Sequence, residues 1–233
     1  PAMSDSIMQF FISSVERDKF GHFLCGYYLG VILFDENGKH LEEYDELLSF
    51  GSIVSQIVKL DEQHFLVSSF VDGVWIISIE DDGSIAKPVR HKTPFRNVTS
   101  VLRDSRGEFW FGTGGQGLWK ATFDGKDFVF EKVESVNFEK EELQKIHCVY
   151  EDNQGDIWVG TQNMGLLRCS SVKNSGSLHS VDVKFPIVDG TTFAEDEEGN
   201  LFVGADGHGV FQMDENFNIK RVYTVNNGLT SNN

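Results

Sequence analysis

Short apolar runs separated by turn residues extend along the whole chain. Residues 97–131 give a clear example, with apolar-rich runs at 97–102, 109–111, 118–121 and 128–131. Runs this short, bounded by Gly, Asp and Ser, are typical of β-strands joined by tight turns. A sustained helical stripe is not seen, and only residues 139–144 are predicted to form a helical turn.

The same pattern recurs along the sequence. Residues 101–119 (VLRDSRGEFWFGTGGQGLW), 149–167 (VYEDNQGDIWVGTQNMGLL) and 193–211 (FAEDEEGNLFVGADGHGVF) align without gaps, and residues 15–32 and 58–75 are weaker copies. One aspartate opens a turn in each copy, at intervals of 43, 43, 48 and 44 residues: Asp18, Asp61, Asp104, Asp152 and Asp196.

A four-stranded unit repeated about every 40 to 50 residues predicts a β-propeller, in which blades stack face to face. We therefore expect an all-β fold of five four-stranded antiparallel blades. The predicted repeats are residues 7–51, 52–95, 96–144, 145–186 and 187–228, with residues 229–233 leading into a further blade.

Two repeated columns have structural interpretations. Asp in the first and Gly in the fourth position of DSRG, DNQG and DEEG suit a type I turn that the carboxylate caps. Aromatic residues repeated once per unit are typical of packing, so we expect them to fill the space between blades. The second-strand column is Phe23, Phe65, Trp110, Trp158 and Phe202, and the third-strand column is Trp75, Trp119 and Phe211.

Composition argues against several partners. Acidic residues number 36 against 20 basic ones, and the net charge of −16 would repel nucleic acids and anionic membranes, so we predict contact with neither. Cys25, Cys148 and Cys169 lack the spacing of a disulfide framework or a zinc site and are expected to be buried thiols. The glycine-rich loops lie between strands rather than before a helix, which argues against nucleotide binding. No cofactor, metal site or catalytic residue is predicted.

The loops between the second and third strands differ from blade to blade. In a propeller these loops and the connections between blades emerge on one face, and variation on a constant scaffold is where specificity resides. The predicted ligand-binding residues are Tyr27, Tyr28, Phe70, Gln162, Asn163, Asp206 and His208. Flat aromatic rings with amide and carboxylate groups suit an oligosaccharide or another small ligand. Ordinary solvated loops are the simpler interpretation of any one of these residues.

Two more polar groups belong to this face. A polar column opens the first strands and could hold water or ligand: Ser13, Gln56, Thr99, His147 and Thr191. Arg90, His91 and Arg96 form a compact basic group, which is more often a solvated loop than an anion site.

The motif of a strand, DxxG, [FI]W[FV]GT, a short loop and GL resembles the two-component-regulator propeller repeat. The first copy that carries the resemblance is Asp104, Gly107, Trp110, Gly112, Thr113, Gly117 and Leu118. The second is Asp152, Gly155, Trp158, Gly160, Thr161, Gly165 and Leu166. The resemblance is specific over residues 97–233 and weaker over residues 1–96, where Cys25 and Ser68 replace the strand glycine and His64 the turn glycine.

The resemblance implies a cellular role. Members of this family form the periplasmic sensor region of inner-membrane hybrid histidine kinases, are common in gut Bacteroidetes and often respond to oligosaccharides. Their blades usually number seven, so the resemblance implies that these units are a fragment of a larger propeller. The catalytic kinase domain would lie outside these residues, and no enzymatic activity is expected of the segment itself.

Two other classes of function stay open. An open arc of five blades, which we expect rather than a strained ring, would leave two apolar blade faces uncovered and favour a scaffold that pairs as a homodimer. An enzyme resembling the streptogramin lyases would work at the same loop face, and His208 with Asp206 is the obvious acid/base pair there. A divalent-metal requirement would favour the enzyme. Thermal stabilisation by oligosaccharides without turnover would favour the sensor.

Overall fold

The fold is built from β-strands. The computed structural model describes residues 12–28, 30–44, 53–133, 145–162, 165–169, 179–180 and 190–232. In these residues the strands form five four-stranded antiparallel sheets, and the one helix is a single 3-10 turn, Val225–Asn227. Each sheet has its strands in chain order, as expected of hairpin-connected propeller blades. The predicted all-β architecture of five blades is confirmed.

The chain divides into two compact units, Pro1–Val101 and Leu102–Asn233. The first unit contains blade 1, formed by β1 Ser14–Arg17, β2 Phe23–Gly26, β3 Val31–Phe34 and β4 His40–Tyr44, and blade 2, formed by β5 Val54–Lys59, β6 His64–Ser69, β7 Gly73–Ser78 and β8 Val89–His91.

The remaining three blades lie in the second unit, except that the first strand of blade 3 begins just before it. Blade 3 is β9 Val98–Arg103, β10 Phe109–Thr113, β11 Leu118–Phe123 and β12 Phe128–Lys132; blade 4 is β13 Ile146–Glu151, β14 Ile157–Thr161, β15 Leu166–Cys169 and β16 His179–Ser180; blade 5 is β17 Gly190–Glu195, β18 Leu201–Ala205, β19 Gly209–Met213 and β20 Ile219–Tyr223.

The repeated aspartate organises the turn between the first and second strands. Asp104 Oδ1 accepts hydrogen bonds from the main-chain N–H groups of Arg106 at 3.0 Å and Glu108 at 2.9 Å. The N–H of Gly107 donates to the Asp104 carbonyl at 2.8 Å, and Gly107 has φ of 83°, a conformation that favours glycine. Equivalent bonds occur at Asp18, Asp152 and Asp196. The structural role predicted for this column is confirmed.

In blades 3 and 4 the same carboxylate also binds the core. Trp110 Nε1 donates to Asp104 Oδ2 at 3.0 Å, and Trp158 Nε1 donates to Asp152 Oδ2 at 2.8 Å. The side chain of Asp104 is fully buried, so this bond satisfies an oxygen that would otherwise be costly to remove from water. The turn and the inter-blade core are therefore one hydrogen-bonded assembly.

The tryptophans of the second strands pack against the following blade. Trp110 lies in a cluster with Ile146 and Val159 of blade 4. Trp158, which is fully buried, lies in a cluster with Leu201 and other residues of blade 5. The predicted position of these two rings between blades is confirmed.

The second-strand column differs from the prediction in blades 1 and 2. The strand pairings place Leu24 and Leu66 at the ladder position of Trp110. Successive residues of a strand face opposite sides of the sheet, so Phe23 and Phe65 lie on the other side from that column. Phe65 is still fully buried, between blades 1 and 2, with Leu24. Assigning Phe23 and Phe65 to the column was wrong by one residue.

A glycine of the second strand lets the next blade approach closely. A Cβ at Gly112 would lie 2.6 Å from Ile146 Cγ2 on the first strand of blade 4. A Cβ at Gly160 would meet the carbonyl oxygen of Gly190 in blade 5. In blade 1 this position is Gly26, against Val54, so the predicted replacement of the glycine by Cys25 was wrong by one residue as well.

A glutamate at the end of the first strand makes a second contact between blades. Glu151 of blade 4 accepts from the N–H of Ser105 at 2.7 Å and from its hydroxyl at 2.6 Å. Glu195 of blade 5 accepts from the N–H of Asn153 at 2.8 Å. Each bond joins the residue before one turn aspartate to the residue after the turn aspartate of the preceding blade.

Replacing Trp158 with alanine should lower the free energy of unfolding by about 3 to 5 kcal/mol, because the buried ring would leave a cavity between blades 4 and 5. Trp158→Phe keeps most of the ring but removes the donor to Asp152, and a loss of about 1 to 3 kcal/mol is expected. Urea unfolding followed by circular dichroism measures both. A loss below about 1 kcal/mol for Trp158→Ala would contradict this packing.

The stability should fall as Asp196 and Asp214, whose carboxylates cap two turns of blade 5, are protonated. The hydrogen bond from the Asn200 side chain lowers the pKa of Asp196 below its ordinary value of 3.8, and the N–H of Asn218 lowers the pKa of Asp214 likewise. A pKa that is lower in the folded state contributes stability above the unfolded value, and this contribution is lost as the pH falls through the folded value. Melting temperatures from neutral pH to about pH 3 measure the loss. Asp196→Asn keeps the turn acceptor, so it should have a smaller pH dependence; an unchanged dependence would contradict the role of this carboxylate.

Candidate functional site

The loops between the second and third strands lie beside the first strand of the following blade. In the first unit, Tyr28 forms a bridge with Ile53, and the N–H of Phe70 donates to the Ile53 carbonyl at 3.3 Å. Two variable loops therefore flank one residue. The second unit repeats this arrangement, with Lys145 bridging Gly114 and accepting from the N–H of Gln162 at 3.1 Å. For each unit taken by itself, we call the surface formed by these loops and the connections between its blades the loop face.

The aromatic residues predicted for the loop face of the first unit have different exposures. Tyr28 is 40% exposed and Phe70 is 39% exposed, and the neighbouring Val71 is also exposed. Tyr27 is only 5% exposed, packs with Ile32, and donates its hydroxyl to the carboxylate of Glu43. Tyr28 and Phe70 can present their rings to a ligand in this conformation, and Tyr27 cannot.

The polar residues predicted for the second unit are spread over two blades. Gln162 is half-buried in blade 4, and Asn163 lies outside the described residues. Asp206 and His208 are exposed in the loop of blade 5. His208 Nδ1 lies 2.7 Å from the main-chain oxygen of Asp206, which can only accept, so Nδ1 carries the proton. The expected acid/base pair is thus joined through a carbonyl group rather than through the Asp206 carboxylate.

A cavity of about 380 Å³ opens on the loop face of blade 5. Its floor includes Gly204 of β18, and its walls carry hydroxyl, amide and carboxylate groups. The polar lining residues are Thr191, Thr192, Asp206, Thr230, Ser231 and Asn232. Such a lining offers both donors and acceptors to a polyhydroxylated ligand.

The cavity exists because the chain after β20 turns back over the blade. Thr224 caps the 3-10 turn, which redirects the chain. The Asn232 carbonyl accepts from the N–H of Gly209 at 3.1 Å, and Asn232 Oδ1 accepts from the N–H of Val225 at 2.8 Å. These bonds fix residues 229–232 against the loop of blade 5. From its sequence this segment is predicted only to lead into a further blade, so Thr230, Ser231 and Asn232 were not among the predicted site residues.

The threonine of the GT motif has a structural role in the loops. Thr113 Oγ1 donates to the Gly117 carbonyl at 2.7 Å and accepts from the N–H of Gln116 at 2.9 Å. Thr161 Oγ1 donates to the Gly165 carbonyl at 2.9 Å. These buried hydroxyls close the loop base, so loop residues beyond them are free to vary.

Three members of the polar column bind the main chain. Ser13 Oγ donates to the Gly26 carbonyl at 3.1 Å, and Thr191 Oγ1 donates to the Gly204 carbonyl at 3.2 Å. Gln56 Oε1 accepts from the N–H of Val101 at 2.8 Å. This part of the column therefore fastens strands, with Thr191 alone also lining the cavity of blade 5.

The cysteines are free thiols. Cys25 and Cys169 are buried, and burial raises the pKa of Cys148 to about 12, although the N–H of Gly160 acts in the opposite direction. Within the part of the chain that the structure describes, no three His, Cys, Asp or Glu side chains are grouped so that they could hold a metal ion. No helix among the described residues has the length and hydrophobicity needed to span a bilayer.

Four-stranded antiparallel sheets with strands in chain order and variable loops between the second and third strands are the blades of a β-propeller. Residues 94–115 and 142–163 match the sequence profile of the family described as two component regulator propeller. The predicted recognition of this family is confirmed, and these two segments are repeats of it. A search of curated protein sequences found no match to the chain.

Solved structures with the same fold come from several functional classes. PorZ, a surface component of the type-IX secretion system of Porphyromonas gingivalis, is 16% identical with a TM-score of 0.74, over 95% of this chain and 35% of PorZ. The extracellular domain of BT3049 from B. thetaiotaomicron, described as a hybrid two-component system, is 20% identical with a TM-score of 0.61, over 95% of this chain and 36% of that domain. The chain thus spans about a third of each of these relatives.

An enzyme shares the fold too. Virginiamycin B lyase from Staphylococcus aureus is 12% identical with a TM-score of 0.68, over 92% of this chain and 70% of the lyase. At these identities the likeness establishes the propeller fold, which occurs both in an extracellular domain of a two-component system and in a lyase. The residues at the loop face must therefore decide the function.

The Cys148 thiol should be almost unreactive in the native protein. A pKa of about 12 leaves very little thiolate at about pH 8, and the thiolate is the reactive form. A thiol reagent should label Cys148 slowly in the native protein and rapidly in urea. Mass spectrometry measures the labelling rate under both conditions. Equal rates under the two conditions would contradict the burial of this residue. The Cys148→Ser variant is the control, because any labelling that it shows comes from Cys25 and Cys169.

Proposed function

We propose that this chain is the ligand-sensing part of a hybrid two-component signalling protein and that its ligand is an oligosaccharide. The family match supports the signalling role, and the extracellular domain of BT3049 offers a parallel of the same fold. In this proposal the segment lies in the periplasm as part of an inner-membrane protein. Catalysis belongs to a histidine kinase domain elsewhere in that protein.

The observation that carries the choice of ligand is the cavity of blade 5, whose wall combines apolar surface with hydroxyl, amide and carboxylate groups. At about 380 Å³ it is at the lower end of the size range of small-molecule pockets, which suits one end of an oligosaccharide. Hydroxyl and amide groups are set in a wall that is otherwise mainly apolar, with Asp206 as the one carboxylate. A carboxylate oxygen accepts hydrogen bonds from sugar hydroxyls more strongly than a neutral oxygen does.

The exposed rings of the first unit provide a second type of contact. Tyr28 and Phe70 flank Ile53 and offer flat apolar faces, which stack on the C–H faces of sugar rings. The first unit and the second unit are separate contributors in this proposal. Tyr27 is omitted because its ring is buried.

A docking surface for protein is the second candidate. Tyr28, Phe70 and Val71 are each exposed by more than a third, which favours an apolar contact with another chain, including a second copy of this one. The lyase-like alternative loses its expected Asp206–His208 pair in this conformation, because His208 Nδ1 is bonded to the main-chain carbonyl of Asp206 and not to its carboxylate.

The sensor proposal predicts saturable binding of a neutral oligosaccharide, without turnover, by this 233-residue chain. Asp206→Asn should weaken the binding about tenfold, because it replaces a charged acceptor with a neutral one. Thr230→Val, which keeps the shape but removes the hydroxyl, should weaken it about fivefold. Calorimetric titration with size-fractionated glycan digests measures the affinities, and chromatography of the ligand checks for turnover.

Matched controls lie on the same unit. Glu197→Gln removes one negative charge at an exposed turn residue at the opposite end of blade 5, and Thr122→Val removes an exposed hydroxyl in blade 3. Both controls should bind like the unaltered protein. Unchanged affinity in Asp206→Asn and Thr230→Val would contradict the proposed cavity. Self-association that Phe70→Ser abolishes, with no glycan binding, would favour the docking surface instead.

A further inference from the structure

A second pocket, on the loop face of blade 2, has a different chemical character. It encloses about 450 Å³ and lies between the loop that precedes β7 and the connection that follows β8. Its lining residues are Asp72, Arg90, His91, Lys92, Thr93, Phe95 and Arg96. We call it the Arg90 pocket. All of it belongs to the first unit, whereas the cavity of blade 5 belongs to the second.

The connection after β8 is held in a curled conformation. Thr93 Oγ1 donates to the Phe95 carbonyl at 2.6 Å, and Phe95 is only 1% exposed, so its side chain anchors the segment in the core. A Cβ at Gly73 would lie 3.0 Å from Thr93 Oγ1, and Gly73 has φ of 93°. The absence of a side chain at Gly73 therefore lets the connection approach β7 closely.

The charge of the pocket is opposite to that of the chain. Arg90, Lys92 and Arg96 contribute three cationic groups to the lining, and Asp72 is its one carboxylate, while the chain as a whole carries −16. Elsewhere the acidic residues outnumber the basic ones, so such a local excess of cations is unlike the rest of the surface. A concave wall of like charges concentrates the field on a ligand of opposite charge.

The guanidinium of Arg90 is held in place by neutral groups. Its Nη2 donates to the main-chain carbonyl of Asp72 at 2.8 Å, and its Cζ lies 5.3 Å from the centre of the Trp75 ring. Neither contact neutralises the positive charge. A guanidinium fixed in this way is a pre-organised donor, because it loses little conformational freedom when an anion binds. Lys92, on the same rim, is exposed and adds a mobile ammonium.

We propose that the Arg90 pocket binds the oxyanion group of an organic molecule, that is a carboxylate, a sulfate ester or a phosphate ester. Charge-assisted hydrogen bonds from Arg90 and Lys92 hold the oxyanion. The volume of about 450 Å³ lies within the range of small-molecule pockets, so the anion is one group of a larger ligand. This inference does not depend on the glycan cavity of blade 5, since the two sites share no residue.

The test is calorimetric titration of the full chain at low ionic strength with four probes: inorganic sulfate, inorganic phosphate, glucuronate and glucose. Glucuronate and glucose share the same ring and ring hydroxyl groups and differ at C6, which is a carboxylate in glucuronate and a hydroxymethyl group in glucose. We expect saturable binding of the anions, weakened by added salt, and at least about tenfold weaker binding of glucose. Tighter binding of glucuronate than of the inorganic anions assigns a carboxylate ligand, and the reverse order assigns a sulfate or phosphate ester.

Substitutions locate the site. Arg90→Gln and Lys92→Gln should each reduce the affinity for the bound anion about tenfold. Lys87→Gln is the matched control, because it removes the same charge from an exposed lysine that does not line the pocket. Thermal melting checks that the Arg90→Gln variant is folded. If it is not, Lys92→Gln still tests the site, because it changes only an exposed side chain. Absence of saturable anion binding, an equal loss in Lys87→Gln, or equal affinity for glucose and glucuronate would overturn the proposal.

Discussion

The hydrogen bonding of the turn aspartate is the interaction on which the rest of the structure depends. In blades 3 and 4 it binds the N–H groups of its own turn and the indole of the following strand. The turn thereby sets the height and orientation of Trp110 and Trp158, and these rings form the contact with the next blade. One side chain thus joins local hairpin geometry to the packing of neighbouring sheets. Blade 1 shows a variant in which Asp18 binds the His22 ring instead, and the indole position is taken by Leu24.

The scaffold and the candidate sites are built from separate groups of atoms. Buried hydroxyls such as Thr113 and Thr161 close the loop bases, and strand glycines set the distance between blades. The loop residues beyond these hydroxyls have neither role, so they differ in charge and shape from blade to blade. Blade 2 has a cationic pocket there, and blade 5 has a mainly apolar cavity that also carries hydroxyl groups. A single chain can in this way present unlike surfaces on like sheets.

The fold was predictable from the sequence because its determinants recur at a fixed period. Counting from Asp104 and Asp152 places the strands, turns and tryptophans correctly. In blades 1 and 2 the column was assigned to Phe23 and Phe65, because an aromatic residue stands directly before the residue that occupies the column. The candidate site was less predictable. Tyr27 is buried and Tyr28 exposed because the Tyr27 hydroxyl bonds the carboxylate of Glu43, which lies on another strand. The cavity of blade 5 depends on a return of the chain that no periodic pattern encodes.

The contact between blades has a direction. Where a strand glycine meets the next blade, it lies on the second strand of its own blade and the residue that meets it lies on the first strand of the next, as with Gly26 and Val54 or Gly112 and Ile146. The face of a blade that carries this glycine therefore fits the opposite face of the next blade, and it does not fit a second copy of itself. A tandem duplication of one blade in the gene would supply both complementary faces. It would create one new contact between blades and leave the existing contacts intact. Propellers of this kind can therefore gain blades by unequal recombination, and each new blade arrives with a loop already free to diverge.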